Sequence, residues 1–410
     1  MSGLAGFAGY CGHDSPGLLE RMSSSMRPSP LRVHPWGNGS AGISVADHKE
    51  SNEQKLLFNE EHSICLAMNG EVFGFDQERR ELMAAGHLFK GEANGAEYCL
   101  HLYEEKGPAA FGDLNGDFSL VLFDLKKDTV FLISDRFSSY ALFYSLAKDG
   151  TLLFGSRVAS IAESSLIGRE LDVNAIFEYF SFAQIFTTRT FLKNVRMLAP
   201  ASVLQYRQGK VVTSTYWQMR YQEENQSDVF FAEKLSHVLK QAVSRRMGDD
   251  LRHGLLLSGG LDSRMLLAAA DRAPVCFTFG DYDNREVRVA RRLSGIRGAK
   301  HFFLKRDPDH YANLIDEAVD IGDGMSCFTN AHGLGFFEAI RNECDALWHG
   351  YALERYFRGT YLPRTSVKLL GESLRSRLAP LAPHRLRQDM RDRYRTSLLG
   401  LNPSRLFQPP

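Results

Sequence analysis

The chain has 410 residues, and its 49 Lys and Arg residues balance 49 Asp and Glu residues, so the formal net charge is zero. Hydrophobic residues make up 44% and charged residues 24%, which excludes a wholly disordered chain and a fibrous repeat. The balanced charge removes the electrostatic argument for a dedicated binder of nucleic acid or membrane surfaces. No apolar run is long enough to span a bilayer. The length predicts two or three domains.

The first half of the chain is predicted to be rich in β-strands. Apolar stretches suited to strands occupy 63–68, 71–75, 117–124, 129–135, 140–146 and 151–156, with helical periods at 96–107 and 173–183 and a last hairpin before Trp217. Asn69 and Gly70 stand between the first two stretches, and this dipeptide is a strong signal for a two-residue hairpin turn. These patterns predict an antiparallel β domain with added helices.

The second half changes to an alternation of helices and strands. A helical period covers 229–247, and strands at 254–257, 275–280 and 301–304 are separated by helices. This alternation predicts a parallel, doubly wound sheet. We place the domain boundary in the polar stretch near 215–225.

The most informative string is SGGLDS, residues 258–263, between an apolar strand and a helix. Glycines allow a close backbone approach, and the helix N-terminus favours an anion. Ser258 and Ser263 add hydroxyl donors, and Asp262 is a candidate Mg²⁺ ligand beside phosphates. The loop has no Lys and is therefore not a Walker A motif. An ordinary Gly-rich turn is the alternative that we favour less.

The SGGLDS string resembles the pyrophosphate-binding loop of the N-type ATP pyrophosphatases. Over residues 1 to roughly 360, the chain resembles the asparagine synthetase B superfamily. Further matching strings, in the expected order, are Asn69-Gly70-Glu71, 114–124, 154–163, 190–206, Tyr216-Trp217, 277–280, and Glu286 with Ala290. The resemblance implies an α+β N-terminal-nucleophile (Ntn) glutaminase-like sandwich over 1–217. An α/β doubly wound, parallel-sheet ATP-pyrophosphatase domain would follow over 218–410, shortened at its C-terminus.

The N-terminal domain departs from working glutaminases of this superfamily. Those begin Met-Cys, whereas position 2 here is Ser2, a weaker nucleophile. The glutamine-binding Arg of the family has no counterpart in 40–50, and its Asp aligns with Gly95. The resemblance would make Asn69 and Gly70 oxyanion-hole members, but we favour the plain hairpin. We therefore expect no ammonia from glutamine.

The acceptor region departs as well. Asparagine synthetases carry SGEGADE where this chain has HGYALER, residues 349–355. Tyr351 replaces a Glu, which is similar to β-lactam synthetase, where a Tyr assists closure of an intramolecular amide; a packed aromatic is an equal alternative. Glu354 replaces an Asp that helps to hold Mg²⁺. The catalytic residues implied are Tyr351 and Glu354, and the metal ligands Asp262 and Glu354. The nucleotide-binding residues implied are Leu257, Ser258, Gly259, Gly260, Leu261, Asp262, Ser263, Phe279, His349 and Gly350.

The resulting expectation is a ligase that uses ATP and Mg²⁺ to form an amide through an acyl-adenylate, releasing AMP and pyrophosphate. We expect it to be glutamine-independent and to act within one substrate, as β-lactam synthetases or lasso-peptide cyclases do. The alternatives are an asparagine synthetase using ammonia or glutamine, and a non-catalytic nucleotide-binding scaffold. The expected partners are a small-molecule or peptide carboxylate and a second copy or a biosynthetic protein, without nucleic acid or membrane.

Two other features have local interpretations. Asp323 could bind substrate or metal, but capping of a loop is favoured, and His332 and His349 lack metal-ligand spacing. The six cysteines form no CxxC pair, so neither a zinc site nor a disulfide framework is expected, and a reducing cytoplasm fits. The first residues have no basic stretch before a long apolar core and are not expected to form a signal peptide. The cysteines are Cys11, Cys65, Cys99, Cys276, Cys327 and Cys344.

Overall fold

The computed structural model describes residues 3–26, 31–48, 56–90, 94–182, 184–220, 222, 224–350, 366–369 and 372–375. The chain forms two compact units. The first comprises Met1–Gly248 with Asp309–Gly335, and the second comprises Asp249–Pro308 with Phe336–Pro410. No described helix is both long and apolar enough to cross a bilayer. The domain boundary after residue 217 stays a prediction.

The strands follow one another along the chain in two groups. Those of the first unit are β1 (Gly3–Ala8), β2 (Leu31–Gly37), β3 (Ala41–His48), β4 (Leu56–Phe58), β5 (Ile64–Val72), β6 (Gly116–Asp124), β7 (Thr129–Ser134), β8 (Phe143–Leu146), β9 (Leu152–Gly155), β10 (Arg196–Met197), β11 (Ser202–Arg207) and β12 (Lys210–Thr215). Those of the second unit are β13 (His253–Leu256), β14 (Val275–Gly280), β15 (His301–Lys305), β16 (Ala346–Trp348), β17 (Ser366–Leu369) and β18 (Glu372–Arg375).

The helices lie between these strands. They are α1 (Ser15–Ser24), α2 (Asp76–Ala84), α3 (Gly95–Lys106), α4 (Val158–Ala162), α5 (Val173–Phe182), α6 (Asp228–Arg246), α7 (Leu261–Ala269), α8 (Arg285–Ile296), α9 (His310–Asn313), α10 (Ile315–Ile321) and α11 (Phe337–Arg341). Short 3₁₀ helices cover Gly107–Asp113 and Phe328–Asn330. Most strands and helices predicted from the sequence are present within a few residues of their expected bounds.

The first unit is a four-layer sandwich. Its two six-stranded antiparallel sheets have the orders β10-β8-β9-β1-β3-β2 and β12-β11-β7-β6-β5-β4. Alternating side chains explain the layers, because Cys65 and Ala67 pack with Ile43 of the other sheet. Their neighbours Leu66 and Met68 join a separate cluster with residues of α3, since successive strand residues point to opposite faces. The predicted Ntn-type α+β sandwich is confirmed.

The hairpin predicted at Asn69 and Gly70 is wrong. Both residues lie inside β5, where Asn69 pairs with Ser119 and Gly70 with Phe118 of β6. Gly70 has a φ of +101°, and a Cβ there would overlap the carbonyl oxygen of Asp117. The glycine is therefore needed for close approach to β6 rather than for a turn. The local dipeptide signal was overridden by nine residues of continuous pairing.

The second unit is built on a four-stranded sheet with the order β15-β14-β13-β16, and all three pairings are parallel. Helix α7 connects β13 to β14, and α8 connects β14 to β15. Leu255 and Cys276 of the sheet pack with Leu267 of α7 and Ala290 of α8. The parallel sheet is confirmed. Its order reverses between β13 and β16, and in such folds ligands bind beyond the carboxyl ends of the strands at this reversal.

Candidate active site

The SGGLDS string forms the connection from β13 to α7. Gly260 is the N-cap of α7, with φ −72° and ψ 163°, and it supplies no side chain to cap the helix. The first N–H groups of a helix have no acceptor within the helix and carry the positive end of its dipole. This helix start can therefore accept an anion, as the sequence predicts.

The two serines of the loop hold its shape. The hydroxyl of Ser263 donates to the carbonyl of Ser258 at 3.1 Å, and it accepts the N–H of Ser258 at 3.0 Å. The two hydroxyl oxygens are also 3.0 Å apart, and the N–H of Gly260 donates to Ser258 Oγ at 3.1 Å. Both hydroxyls are thus engaged inside the loop. Their predicted role as donors to phosphate stays a prediction.

Two glycines allow other segments to reach the loop. A Cβ on Gly259 would lie 3.3 Å from Cα and Cγ of Glu286, at the start of α8. A Cβ on Gly350, which follows β16, would lie 3.1 Å from the backbone N of Ser263 and 3.2 Å from Cβ of Asp262. Position 350 therefore lies against the first turn of α7. The strand order alone brings residues 258–263 and 350 together.

The base of the loop is fixed by a chain of hydrogen bonds across the sheet. The Thr278 hydroxyl donates to the carbonyl of Leu257 at 2.6 Å and lies 2.9 Å from Nε2 of His301. Since the hydroxyl proton is used on Leu257, His301 must donate from a protonated Nε2. Burial, with Arg291 nearby, lowers the pKa of His301, which favours the neutral ring that this arrangement needs.

The structure also describes the other residues that the sequence predicts to bind a nucleotide. The side chain of Leu257 is buried, and its N–H donates to the carbonyl of Phe277 at 2.8 Å. Phe279 is partly buried and stacks on Phe336 at a centroid distance of 5.6 Å. His349 and Leu261 are exposed. Contacts of these residues with a nucleotide stay a prediction.

The acceptor and metal residues are placed only in part. Asp262 is half-buried in the first turn of α7, and its carboxylate is a hard oxygen ligand that suits Mg²⁺ beside phosphate. Tyr351 and Glu354, the predicted catalytic residues, lie outside the described residues. Asp262 is thus the predicted metal ligand whose position can be stated, and it fits that role by chemistry and by place.

The glutaminase-like site is also described in part. Ser2 lies outside the described residues. Asn94 caps α3 by accepting the N–H of Ala96 at 3.0 Å, and Gly95 is packed so closely that a Cβ would lie 3.3 Å from atoms of Val72. Asn69 is only 5% exposed, and with the hairpin interpretation removed, its oxyanion-hole role stays a prediction.

Asp323 has a structural role within the first unit. Its carboxylate accepts the N–H of Val158 at 2.6 Å, at the start of α4, and pairs with the guanidinium of Arg157 at 3.0 Å. Burial raises the pKa of Asp323, although Arg157 opposes this shift. The structure thus agrees with the favoured capping interpretation.

Sequence reasoning missed one group of side chains with functional potential. His87, His101 and Glu104 converge in the first unit. The spacing of His101 and Glu104 at i and i+3 on a helix is a usable signal, but His87 lies in a different element.

Comparisons with known proteins follow this division of the chain. A model of the glutamine amidotransferase domain family matches residues 1–217, and a model of the asparagine synthase family matches residues 234–343. Among solved structures, this chain is similar to a glutamine phosphoribosylpyrophosphate amidotransferase from Bacillus subtilis complexed with ADP and GMP. The matched region covers 77% of this chain and 70% of that chain, with 12% sequence identity and a TM-score of 0.40.

Curated relatives include two glutamine-hydrolysing asparagine synthetases of Bacillus subtilis strain 168. Asparagine synthetase 3 is 26% identical over 88% of this chain and 65% of its own length. Asparagine synthetase 2 is 30% identical over 59% of this chain and 34% of its own length. The amidase chyE of Penicillium rubens is 24% identical over 69% of this chain and 45% of its own. The chain spans between a third and two thirds of the length of these relatives.

The family models, the sandwich of the first unit and the SGGLDS loop of the second therefore agree, and the chain belongs to the asparagine synthetase-related proteins, with a glutamine amidotransferase domain over residues 1–217.

Proposed function

We propose that the chain is an ATP-dependent ligase that activates a carboxylate as an acyl-adenylate and transfers the acyl group to an amine. The observation that carries this proposal is the position of SGGLDS at the reversal of the parallel sheet. There the start of α7, whose first N–H groups have no side-chain cap, is a surface suited to an anion, and Gly259 and Gly350 let other segments of the chain pack close to it. The relationship to asparagine synthetases supports the same reaction class.

The chemistry assigns a task to each part of this surface. A carboxylate oxygen attacks the α-phosphorus of ATP, the bond from that phosphorus to the bridging oxygen breaks, and pyrophosphate leaves. The N-terminal N–H groups of α7 stabilise the charge that develops on pyrophosphate. An amine then attacks the acyl carbon, AMP departs with the bonding electrons, and the nitrogen loses a proton.

Bound Mg²⁺ would neutralise phosphate charge and polarise the phosphorus–oxygen bonds. Asp262 is the residue of the described loop that would hold the ion. The carboxylate stands in the first turn of α7, where a negative side chain is itself stabilised by the helix dipole. The chain thus places a fixed anion next to the surface where a phosphate-bound cation is needed.

We also propose that the amine does not come from glutamine. The family's acidic position is Gly95, and a Cβ there would crowd Val72 at 3.3 Å, so the local packing suits a residue without a side chain. Ser2 is a weaker nucleophile than the cysteine it replaces. The purified chain should release no glutamate from glutamine, and measurable release would contradict this part of the proposal.

For the substrate, we propose an acid that carries its own amine, so that ring closure forms the amide as in β-lactam or lasso-peptide synthesis. Tyr351 supports this choice through its similarity to the β-lactam enzymes. Free aspartate with ammonium is the competing pair. A screen of pyrophosphate release over amino acids, amino diacids and peptide precursors separates the two, and aspartate-dependent release would favour an asparagine synthetase.

The decisive experiment compares two aspartates of the second unit. Asp262→Asn should lower pyrophosphate release by about 100-fold or more, because the carboxylate that would hold Mg²⁺ against the pyrophosphate is lost. Asp271→Asn, at an exposed position just after α7, is the matched control and should stay within about twofold. Equal release by both variants would remove Asp262 from the mechanism. Binding of an ATP analogue in calorimetry without pyrophosphate release for any acid would favour a non-catalytic nucleotide-binding scaffold.

A further inference from the structure

Two histidines and a glutamate of the first unit bring three lone-pair atoms together. Nδ1 of His87 lies 3.1 Å from Nδ1 of His101. Glu104 Oε2 lies 2.8 Å from Nδ1 of His101 and 3.4 Å from Nδ1 of His87. The three atoms thus form a nearly equilateral triangle. The proposed ligase mechanism does not involve any of them.

Local structure accounts for the position of each residue. His101 and Glu104 share one face of α3 because they are three residues apart. Helix α2 ends at Ala84. Two residues later Gly86 has a φ of +108°, and the N–H of His87 donates back to the carbonyl of Leu82 at 3.1 Å. This bond spans six residues, from Leu82 to His87, and is typical of the Schellman motif, which ends a helix with a glycine in the left-handed region. It holds His87 beside α3.

When His87 is neutral, hydrogen bonds alone leave lone pairs of this triangle unsatisfied. Nε2 of His87 lies 2.9 Å from Glu105 Oε1, so a neutral His87 keeps its proton there and presents a lone pair from Nδ1. One proton on His101 Nδ1 would then serve two acceptors. The lone pairs of His87 and Glu104 would still face each other. A cation at the centre would satisfy all three atoms at once.

We propose that His87, His101 and Glu104 bind one divalent transition-metal ion of the Zn²⁺ type. In a tetrahedral site with Zn–N and Zn–O bonds of about 2.0–2.1 Å, ligand atoms are about 3.3 Å apart. The observed separations of 2.8, 3.1 and 3.4 Å need shifts of only a few tenths of an ångström. Two imidazoles and one carboxylate favour Zn²⁺ over the oxygen-seeking Mg²⁺ and Ca²⁺.

The surroundings supply the outer contacts that such sites use. Glu105 accepts from the far nitrogen of His87, and Asn59 Nδ2 donates to Glu104 Oε1 at 2.8 Å. Asn59 is itself held, because its Oδ1 accepts the N–H groups of Ser63 and Ile64 at 2.8 and 2.9 Å. Carboxylates and amides in these positions orient metal ligands and raise affinity.

Burial indicates how open the ion would be. The side chain of His101 is 2% exposed, whereas those of His87 and Glu104 are 14% and 19% exposed. Solvent can therefore reach the edge of the cluster formed by His87 and Glu104, so water could supply a fourth ligand. Bound metal would tie the end of α2 to α3 and so stabilise the first unit.

The test measures zinc binding by the purified full chain. Zinc is removed with a chelator, then returned in competition with a chromophoric chelator, and bound metal is counted by mass spectrometry. We expect one equivalent and a higher melting temperature. Glu104→Gln and His87→Asn should weaken binding by more than about 10-fold, and Glu105→Gln by about 10–100-fold. His237→Asn, on an exposed part of α6, is the matched control.

Substituting Co²⁺ identifies the ligands directly. The expected spectrum is that of a tetrahedral nitrogen and oxygen site, without a thiolate charge-transfer band. Circular dichroism checks that each variant folds. If His87→Asn does not fold, Glu104→Gln still tests the proposal, because glutamine has nearly the same shape as glutamate. Absence of an equivalent of zinc in the unmodified chain would overturn the proposal. Undiminished binding in folded Glu104→Gln, or a thiolate band, would do the same.

Discussion

Glycines serve different ends in the two compact units. In the second unit, Gly259 and Gly350 let two other segments pack against the loop and first turn of α7, where we propose that an anion binds. In the first unit, Gly70 and Gly95 let β5 and α3 pack against neighbouring backbone. The same residue type thus belongs to a proposed binding loop in one unit and to packing alone in the other. A glycine in a motif identifies a close approach, but the fold decides what approaches.

The largest effect is expected from a side chain at position 350, which tests whether close packing at Gly350 is needed for nucleotide binding. Gly350→Val should place methyl groups against Ser263 N and displace the start of α7. Because such displacement ruins the anion site, ATP-analogue binding measured by calorimetry should fall by about 100-fold. The melting temperature should fall as well, because the clash is with backbone, and circular dichroism checks that the variant still folds. Gly295→Val is the control, since a Cβ there meets nothing within 4 Å. Unaltered binding by Gly350→Val would show that the loop does not hold the nucleotide.

The converse substitution in the first unit should cost stability. Gly70→Ala puts a Cβ on the Asp117 carbonyl at a φ of +101°, and we expect a loss of about 3 kcal/mol in the free energy of unfolding. Gly39→Ala is a matched control, because its φ is +91° and its Cβ would meet nothing within 4 Å. The difference between the variants in denaturant titrations isolates the clash. Equal losses would mean that backbone conformation alone matters there.

A smaller effect should appear in the pH dependence of the second unit. Burial, with Arg291, lowers the pKa of His301 in the folded state. A lowered pKa gives stability that is present above the unfolded value of about 6.5 and lost as pH falls through the folded value. The chain should therefore lose thermal stability as the pH falls below about 6.5. His301→Gln keeps a neutral donor toward Thr278 and should flatten this slope.

The control for this measurement is His237→Asn on the exposed part of α6, which should leave the slope as it is. A slope for His301→Gln that equals the unmodified slope would show that another group governs the pH response. A flatter slope would show that the hydrogen-bond chain from His301 through Thr278 to Leu257 stabilises the segment next to the SGGLDS loop.

The extent of sequence prediction differs between local and distant features. Strands and helices with strong periodicity were predicted closely, as for β6, β7 and α3, because the periodicity of side chains is a local property. The hairpin at Asn69 and Gly70 failed because the dipeptide signal is local while pairing of β5 with β6 is not. Repeated ladder bonds along both strands outweighed a two-residue turn preference.

The sequence by itself determined the two-part architecture, the SGGLDS turn and the family to which the chain belongs, since all three are written in contiguous residues. Only the tertiary structure decided that Gly350 reaches the first turn of α7, because strand order brings together segments almost ninety positions apart in the printed sequence. Only the tertiary structure likewise showed that the side chains of His87, His101 and Glu104 converge. Their convergence depends on how α2 ends beside α3, and no spacing rule along the chain contains that geometry.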